Sequence, residues 1–233
     1  MAEPMPEPLR VEAGPGRAVT AMIYPAAGPA PARLGLILGH GAGAGQTSSF
    51  MVRFATELAA RGIDTVTFNF SYMEQRRRLP DPKAVLEGCY RRVIETVRHH
   101  GIGHGGLAIG GKSMGGRIAT QVAASGAPDV AALILLGYPL HPPGEPDKLR
   151  TSHLADIHVP MLFVQGSRDT FGTPDELRPI ISTLRAPCEL HVVEGGDHSF
   201  KVLKRAGVGQ DEIDQAILDR IAWWLRESVG VEN

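Results

Sequence analysis

The feature that most constrains this chain is an alternation. Six short runs of apolar and β-branched residues, Leu34–Gly39, Thr65–Phe70, Leu107–Gly111, Ala131–Leu136, Met161–Gln165 and Leu190–Val193, are separated by longer stretches with helical periodicity. A strand that is apolar on both faces must be covered on both faces, and helices returning between parallel strands provide that cover. The expected helices are Phe50–Arg61, Ala84–Arg98, Met114–Ala124, Pro174–Leu184 and Glu212–Glu227, each carrying apolar residues at three- and four-residue spacing. Ahead of them, Leu9–Glu12 and Ala18–Tyr24 read as an antiparallel edge, followed by a proline-rich turn at Pro25–Ala32. The expected fold is therefore α/β, with a mostly parallel central sheet and helices on both faces. At 233 residues the chain suits a single domain spanning residues 1–233.

Charge and cysteine content remove several functional classes. The formal net charge is −1, so no global field attracts nucleic acid or an anionic membrane. Cys89 and Cys188 are the only cysteines and read as inert core thiols. The N-terminal Met1-Ala-Glu-Pro-Met-Pro-Glu-Pro is acidic and proline-broken, and no apolar run reaches the roughly 20 residues needed to span a bilayer. These readings place the protein in the cytoplasm, with no nucleic-acid or membrane partner. The oligomeric state is not encoded in any feature of this kind.

The sharpest motif is Gly111-Lys112-Ser113-Met114-Gly115-Gly116, set between an expected strand and an expected helix. In that context G-x-S-x-G makes a tight, strained turn that lifts the serine hydroxyl above the sheet, and the glycines answer a steric need. The same stretch, from Gly106 to Ser113, also matches G-x-x-x-x-G-K-S. A phosphate loop requires the variable residues to form the loop, whereas Leu107, Ala108 and Ile109 belong to the strand itself, so nucleotide binding is set aside. Gly39-His40-Gly41-Ala42-Gly43-Ala44 fits a dinucleotide fingerprint, but the following strand ends in Asn69-Phe70-Ser71-Tyr72 and has no acidic residue for a ribose. A better use of this loop is to present the Ala42 N–H as one oxyanion donor, with the Met114 N–H as the other.

A serine nucleophile needs a base and an orienting carboxyl. His198, in the turn Gly195-Gly196-Asp197-His198-Ser199-Phe200 after the last expected strand, is the base; Asp169, just past Met161–Gln165, preserves the chain order Ser, Asp, His. Asp197 is the rival carboxyl, with turn formation as its plainer role, and Asp175 is more simply a helix starter. His99, His100 and His104 form a loop cluster without a clear third metal ligand, so no metal or cofactor is expected. His141, His153, His158 and His191 read as surface or rim residues. His40, Tyr72, Arg76, Arg77 and Tyr138 are candidate substrate contacts, and Lys112 and Arg117 are expected to make local ion pairs. Arg76, Arg77 and Arg78 could select a carboxylate, although a solvated loop is their plainer reading.

With these motifs in place, the span from Leu34 to Leu225 resembles the α/β-hydrolase superfamily, and within it the dienelactone-hydrolase-like group, most closely the Tex30/KANL3 family. The stretches that carry the resemblance are His40-Gly41-Ala42-Gly43, Asn69-Phe70-Ser71-Tyr72-Met73-Glu74 with Arg76-Arg77-Arg78-Leu79-Pro80-Asp81, Gly111 to Arg117, Gln165-Gly166-Ser167-Arg168-Asp169 and Gly196-Asp197-His198-Ser199-Phe200. The resemblance implies an α/β-hydrolase fold and a hydrolase acting on a small-molecule acyl substrate. Dienelactone hydrolase proper uses cysteine where this chain has Ser113, so its substrate does not transfer. The connection Gly137–Pro160 is too short for a large lid domain. Because some members of the family are regarded as interaction subunits, a catalytically silent scaffold is the alternative reading.

Overall fold

A computed structural model describes residues 5–27, 33–127, 129–203 and 207–229. Its core is one eight-stranded sheet. In chain order the strands are β1 (Glu7–Gly14), β2 (Arg17–Tyr24), β3 (Leu34–Gly39), β4 (Asp64–Phe68), β5 (Gly106–Lys112), β6 (Val130–Leu136), β7 (Met161–Gly166) and β8 (Cys188–Val193). They lie in the spatial order β1-β2-β4-β3-β5-β6-β7-β8. Pairing is antiparallel from β1 through β2 to β4 and parallel everywhere else. Every residue of β3 and β7 is buried, which is why these strands read as unbroken apolar runs.

The helices are α1 (Ser49–Ala60), α2 (Ser71–Glu74), α3 (Lys83–His99), α4 (Met114–Ala124), α5 (Pro174–Ile181) and α6 (Gln210–Val229). They bury two apolar layers. Leu86, Val93, Ile118 and Leu177, from α3, α4 and α5, pack on Leu107, Ile109, Leu133 and Leu135 on one face of the sheet. On the other face Phe54 and Leu58 of α1 and Ile217 and Ile221 of α6 pack on Leu36, Ala108, Ile134 and Val164. Alternate residues of β5 thus serve opposite layers, as the two-residue period of a strand dictates.

Most element boundaries differ from the sequence reading by one to three residues, and two of these differences have a clear local reason. β4 stops at Phe68, short of Phe70, because the Phe70 N–H leaves the ladder to donate to His40 Nε2 at 3.1 Å. The chain then turns directly into the four-residue helix α2, too short to register as a periodic pattern. α5 ends at Ile181 instead of Leu184, where three-residue bonds from Thr183 to Ile180 and Leu184 to Ile181 tighten the chain. Between Gly137 and Pro160 the sole helical piece is a 3-10 turn at Leu154–Asp156, so no lid domain interrupts the fold. Of the expected turn Pro25–Ala32, residues 28–32 lie outside those described.

Strand order reverses beside β3, since its crossovers run to β4 on one side and β5 on the other. In open α/β sheets the crevice beyond the strands' C-terminal ends at such a point is where ligands bind. The loops after β3, β5, β7 and β8 all open there.

Candidate active site

Ser113 sits between β5 and α4 with φ 51° and ψ −112°, a strained conformation for a residue with a side chain. The turn is possible because no side chain projects from Gly111 or Gly115, two residues to either side. A Cβ on Gly111 would lie 2.2 Å from the Gly39 carbonyl oxygen, and a Cβ on Gly115 would lie 2.1 Å from the same atom. Extended backbone throughout Gly106–Lys112 also disposes of the phosphate-loop reading, because the residues that would wrap a phosphate are in the ladder.

Three distant segments meet at this turn. His198 Nε2 lies 2.9 Å from Ser113 Oγ, and His198 Nδ1 lies 2.8 Å and 3.0 Å from the two carboxyl oxygens of Asp169. Asp169 is fully buried and accepts two further bonds, from Gln165 Nε2 at 2.8 Å and from the Phe171 N–H at 2.8 Å. A carboxylate so supplied with donors is held in one orientation and fixes the ring beside it. Since a carboxylate only accepts, Nδ1 carries the imidazole proton and Nε2 turns its lone pair to the serine. Phe171 stacks on the ring with centroids 4.2 Å apart. The rival Asp197 does what its plainer reading expects: its Oδ1 accepts from the N–H groups of Ser199 and Lys201 at 2.7 Å and 3.0 Å, shaping the turn that carries His198. In α5, Thr173 and Glu176 form the capping box, and Asp175 stands exposed in the first turn.

The loop after β3 lies against this turn, where a Cβ on Gly41 would be 3.8 Å from that of Ser113. His40 holds the loop. Its Nδ1 donates to the Gly41 carbonyl oxygen at 2.7 Å while Nε2 accepts from the Phe70 N–H. That carbonyl belongs to the same peptide plane as the Ala42 N–H, so anchoring one aims the other. Tyr72 adds a hydroxyl bond to the Ala42 carbonyl oxygen at 3.0 Å. Met114 is the first residue of α4, so its N–H has no acceptor within the helix.

These bonds correct several expected roles. His40 and Tyr72 are fully buried and spend their polar atoms on backbone, so they brace the wall of the site and do not face substrate. Burial pushes the His40 imidazole down to about 4, against a smaller opposing effect of the bond to Gly41. Tyr138 is likewise buried, its hydroxyl donating to the Arg150 carbonyl oxygen at 2.7 Å. Arg76 and Arg77 do not line the cleft; Arg77 instead pairs with Asp81 at 2.5 Å. His141, expected at the surface, is buried and lies 3.2 Å from Glu176. His99, His100 and His104 are exposed and donate to carbonyls of their own helix or turn. Among the described residues no group of three or more His, Cys, Asp or Glu side chains is arranged to hold a metal ion.

Lys112 and Arg117 are also corrected, because neither lies within ion-pairing distance of an acid among the described residues. Lys112 Nζ donates to the His198 carbonyl oxygen and sits between Phe200 and Phe50, 5.3 Å and 5.9 Å from their ring centroids. Gly137 makes room for it, since a Cβ there would fall 2.7 Å from Nζ. Burial pushes this ammonium down to about 8, with Asp169 and Asp197 opposing the shift. A cleft of about 800 Å³ opens over Ser113, walled by Ala42, Phe50, Phe54, Met114, Arg150 and Phe171 among others.

Fold and contact geometry together define an α/β sheet protein with a Ser–His–Asp constellation at the carboxyl edge of its central strands. A family model described as an alpha/beta hydrolase domain matches residues 32–226, and the chain belongs to that family. Solved structures agree on the architecture. The chain is similar to an alpha-beta serine hydrolase homologue from Coxiella burnetii, with 22% identity, a TM-score of 0.74, and coverage of 92% of this chain and 97% of that one. It is also similar to dienelactone hydrolase from Anabaena variabilis, with 18% identity, a TM-score of 0.73, and coverage of 97% and 99%. A third likeness is to a serine hydrolase without a lid from Xanthomonas campestris, with 20% identity, a TM-score of 0.69, and coverage of 96% and 93%. These likenesses establish the α/β-hydrolase fold. No helix among the described residues is long and apolar enough to cross a membrane.

Proposed function

We propose that this protein is a serine hydrolase that cleaves a carboxylic ester, thioester or lactone through an acyl-enzyme on Ser113. The observation that carries the reading is the continuous set of contacts from Asp169 through His198 to Ser113, each at hydrogen-bonding distance. As Ser113 Oγ bonds to the acyl carbon, its proton passes to His198 Nε2 and the carbonyl oxygen becomes an oxyanion. The N–H groups of Ala42 and Met114 receive that charge. Collapse of the intermediate expels the alcohol or thiol, which takes the proton from Nε2. Water then attacks the acyl carbon, gives a proton to His198, and Ser113 leaves with it. Asp169 steadies the imidazolium formed in each half-reaction.

The chemistry needs no cofactor. A small-molecule acyl substrate suits a cleft that no lid domain covers. Within the superfamily, the motifs around Ser113, Asp169 and His198 favour the dienelactone-hydrolase-like group and the Tex30/KANL3 family. A cytoplasmic location belongs to the same reading and rests on the two unbridged thiols, Cys89 and Cys188. Hydrolysis of p-nitrophenyl acetate is the test. Wild-type protein is expected to turn it over and Ser113→Ala, with an unchanged circular dichroism spectrum, to lose the activity; full activity in that variant would end the proposal.

A further inference from the structure

The cleft is far more cationic than the chain. Six basic residues line it, Arg53, Lys83, Lys112, Arg117, Arg150 and Lys201, against two acids, Asp81 and Asp214, in a protein of net charge −1. Both acids are already paired, Asp81 with Arg77 and Asp214 with Arg53. Two more of the cleft's cations, Arg117 and Arg150, have no carboxylate within 4.0 Å among the described residues. Arg117 Nε is buried without a hydrogen-bond partner. The Arg150 guanidinium has a single long bond, 3.4 Å from Nη1 to the Pro139 carbonyl oxygen. Leaving guanidinium N–H groups unpaired in a partly buried wall is costly, and a ligand oxyanion relieves that cost.

Position gives the pair its meaning. Arg117 is four residues after Ser113, and side chains on a helix lean toward its N-terminus, so Arg117 overlies the turn that carries the serine. Both side chains line the same cleft, and the Arg150 guanidinium is pushed below its ordinary value, by burial first and then by Arg117, with Tyr138 and Glu145 opposing. Nearby His153 is pushed down to about 4 by burial, then by Lys83 and Arg117. Two cleft-lining guanidiniums, one with a buried Nε that has no partner, offer donors to an anion.

Building on the serine-hydrolase reading, we infer that Arg117 and Arg150 bind an anionic oxygen group, carboxylate or phosphate, on the acyl substrate, distinct from the carbonyl that Ser113 attacks. Planar guanidiniums present paired N–H donors that match such groups two at a time.

The test compares p-nitrophenyl esters of glutaric acid and of valeric acid, which differ in a terminal carboxylate, with a phosphonate-tailed ester as the third substrate. Wild-type kcat/KM is expected to favour an anionic ester by about tenfold or more, the worth of charge-assisted bonds. The higher of the carboxylate and phosphonate values names the oxyanion. In Arg117→Met and Arg150→Met, placed on a helix and on a loop so that one folding failure does not decide the matter, the ratio is expected to collapse toward one. A wild-type ratio at or below one overturns the inference, as does a high ratio that survives both substitutions. Calorimetry with glutarate and with inorganic phosphate separates this from failure of the parent reading. Binding that is lost in the variants, in a protein that hydrolyses no ester, would leave the anion site standing and remove the enzyme. Ester turnover with no anion binding and no preference would do the reverse.

Discussion

His198 and His40 both follow parallel strands of one sheet and both use each ring nitrogen, yet their surroundings differ. His40 is wholly buried and bonded to two backbone groups; His198 is one-fifth exposed, with a buried carboxyl on one nitrogen and a hydroxyl on the other. Backbone partners cannot stabilise an imidazolium as a carboxylate can, and burial holds His40 neutral down to about 4. Position near a nucleophile therefore does not make a histidine a base; its partner does. On this account His198 moves protons and His40 aims a peptide.

The largest effects are expected on the His198 side. His198→Ala is expected to lower kcat for an activated ester by about five to six orders of magnitude, as for other triad members acting as a unit. Asp169→Asn, which preserves shape but offers a donor to Nδ1, is expected to cost on the order of 10⁴. Steady-state kinetics reads both, and a loss under tenfold in either would erase the contrast between the two histidines. His40→Ala is expected to act differently. It strips partners from the Gly41 carbonyl and the Phe70 N–H, costing about 2–5 kcal/mol in urea unfolding. Loss of aim at Ala42 is expected to lower kcat by about 10²-fold or more.

A pH series sharpens the comparison further. His40 has a folded value depressed below its ordinary 6.5, so the neutral form is the one the fold accepts. Its contribution is fully present above about 6.5 and is lost as pH falls toward about 4, a change on the order of 3 kcal/mol. His153 shifts in the same direction and adds to the slope. Urea midpoints measured between pH 7.5 and 4 are expected to fall in wild type and to fall less in His40→Asn. Smallest is Tyr72→Phe, which removes the bond to the Ala42 carbonyl and is expected to cost about 1 kcal/mol.

Much of this site was legible because its steric demands leave marks in the chain. Glycine at 111 and 115 answers the Gly39 carbonyl, and the order of Ser113, Asp169 and His198 follows from strand ends that gather at one edge. Which way a polar ring faces leaves no such mark. His40, Tyr72 and Tyr138 each follow closely on the end of a strand, and only the fold shows that backbone carbonyls and N–H groups claim them. Arg117 was within reach, since its four-residue offset from Ser113 places it over the turn. Arg150 was not, being in an irregular loop whose path no periodicity encodes.

Covalent capture by a fluorophosphonate, read by intact mass and peptide mapping, tests the central claim most directly. The account predicts one adduct per chain, on Ser113, formed rapidly in wild type and far more slowly in His198→Ala. A folded wild-type protein that takes no label, or takes it at another residue, would contradict it.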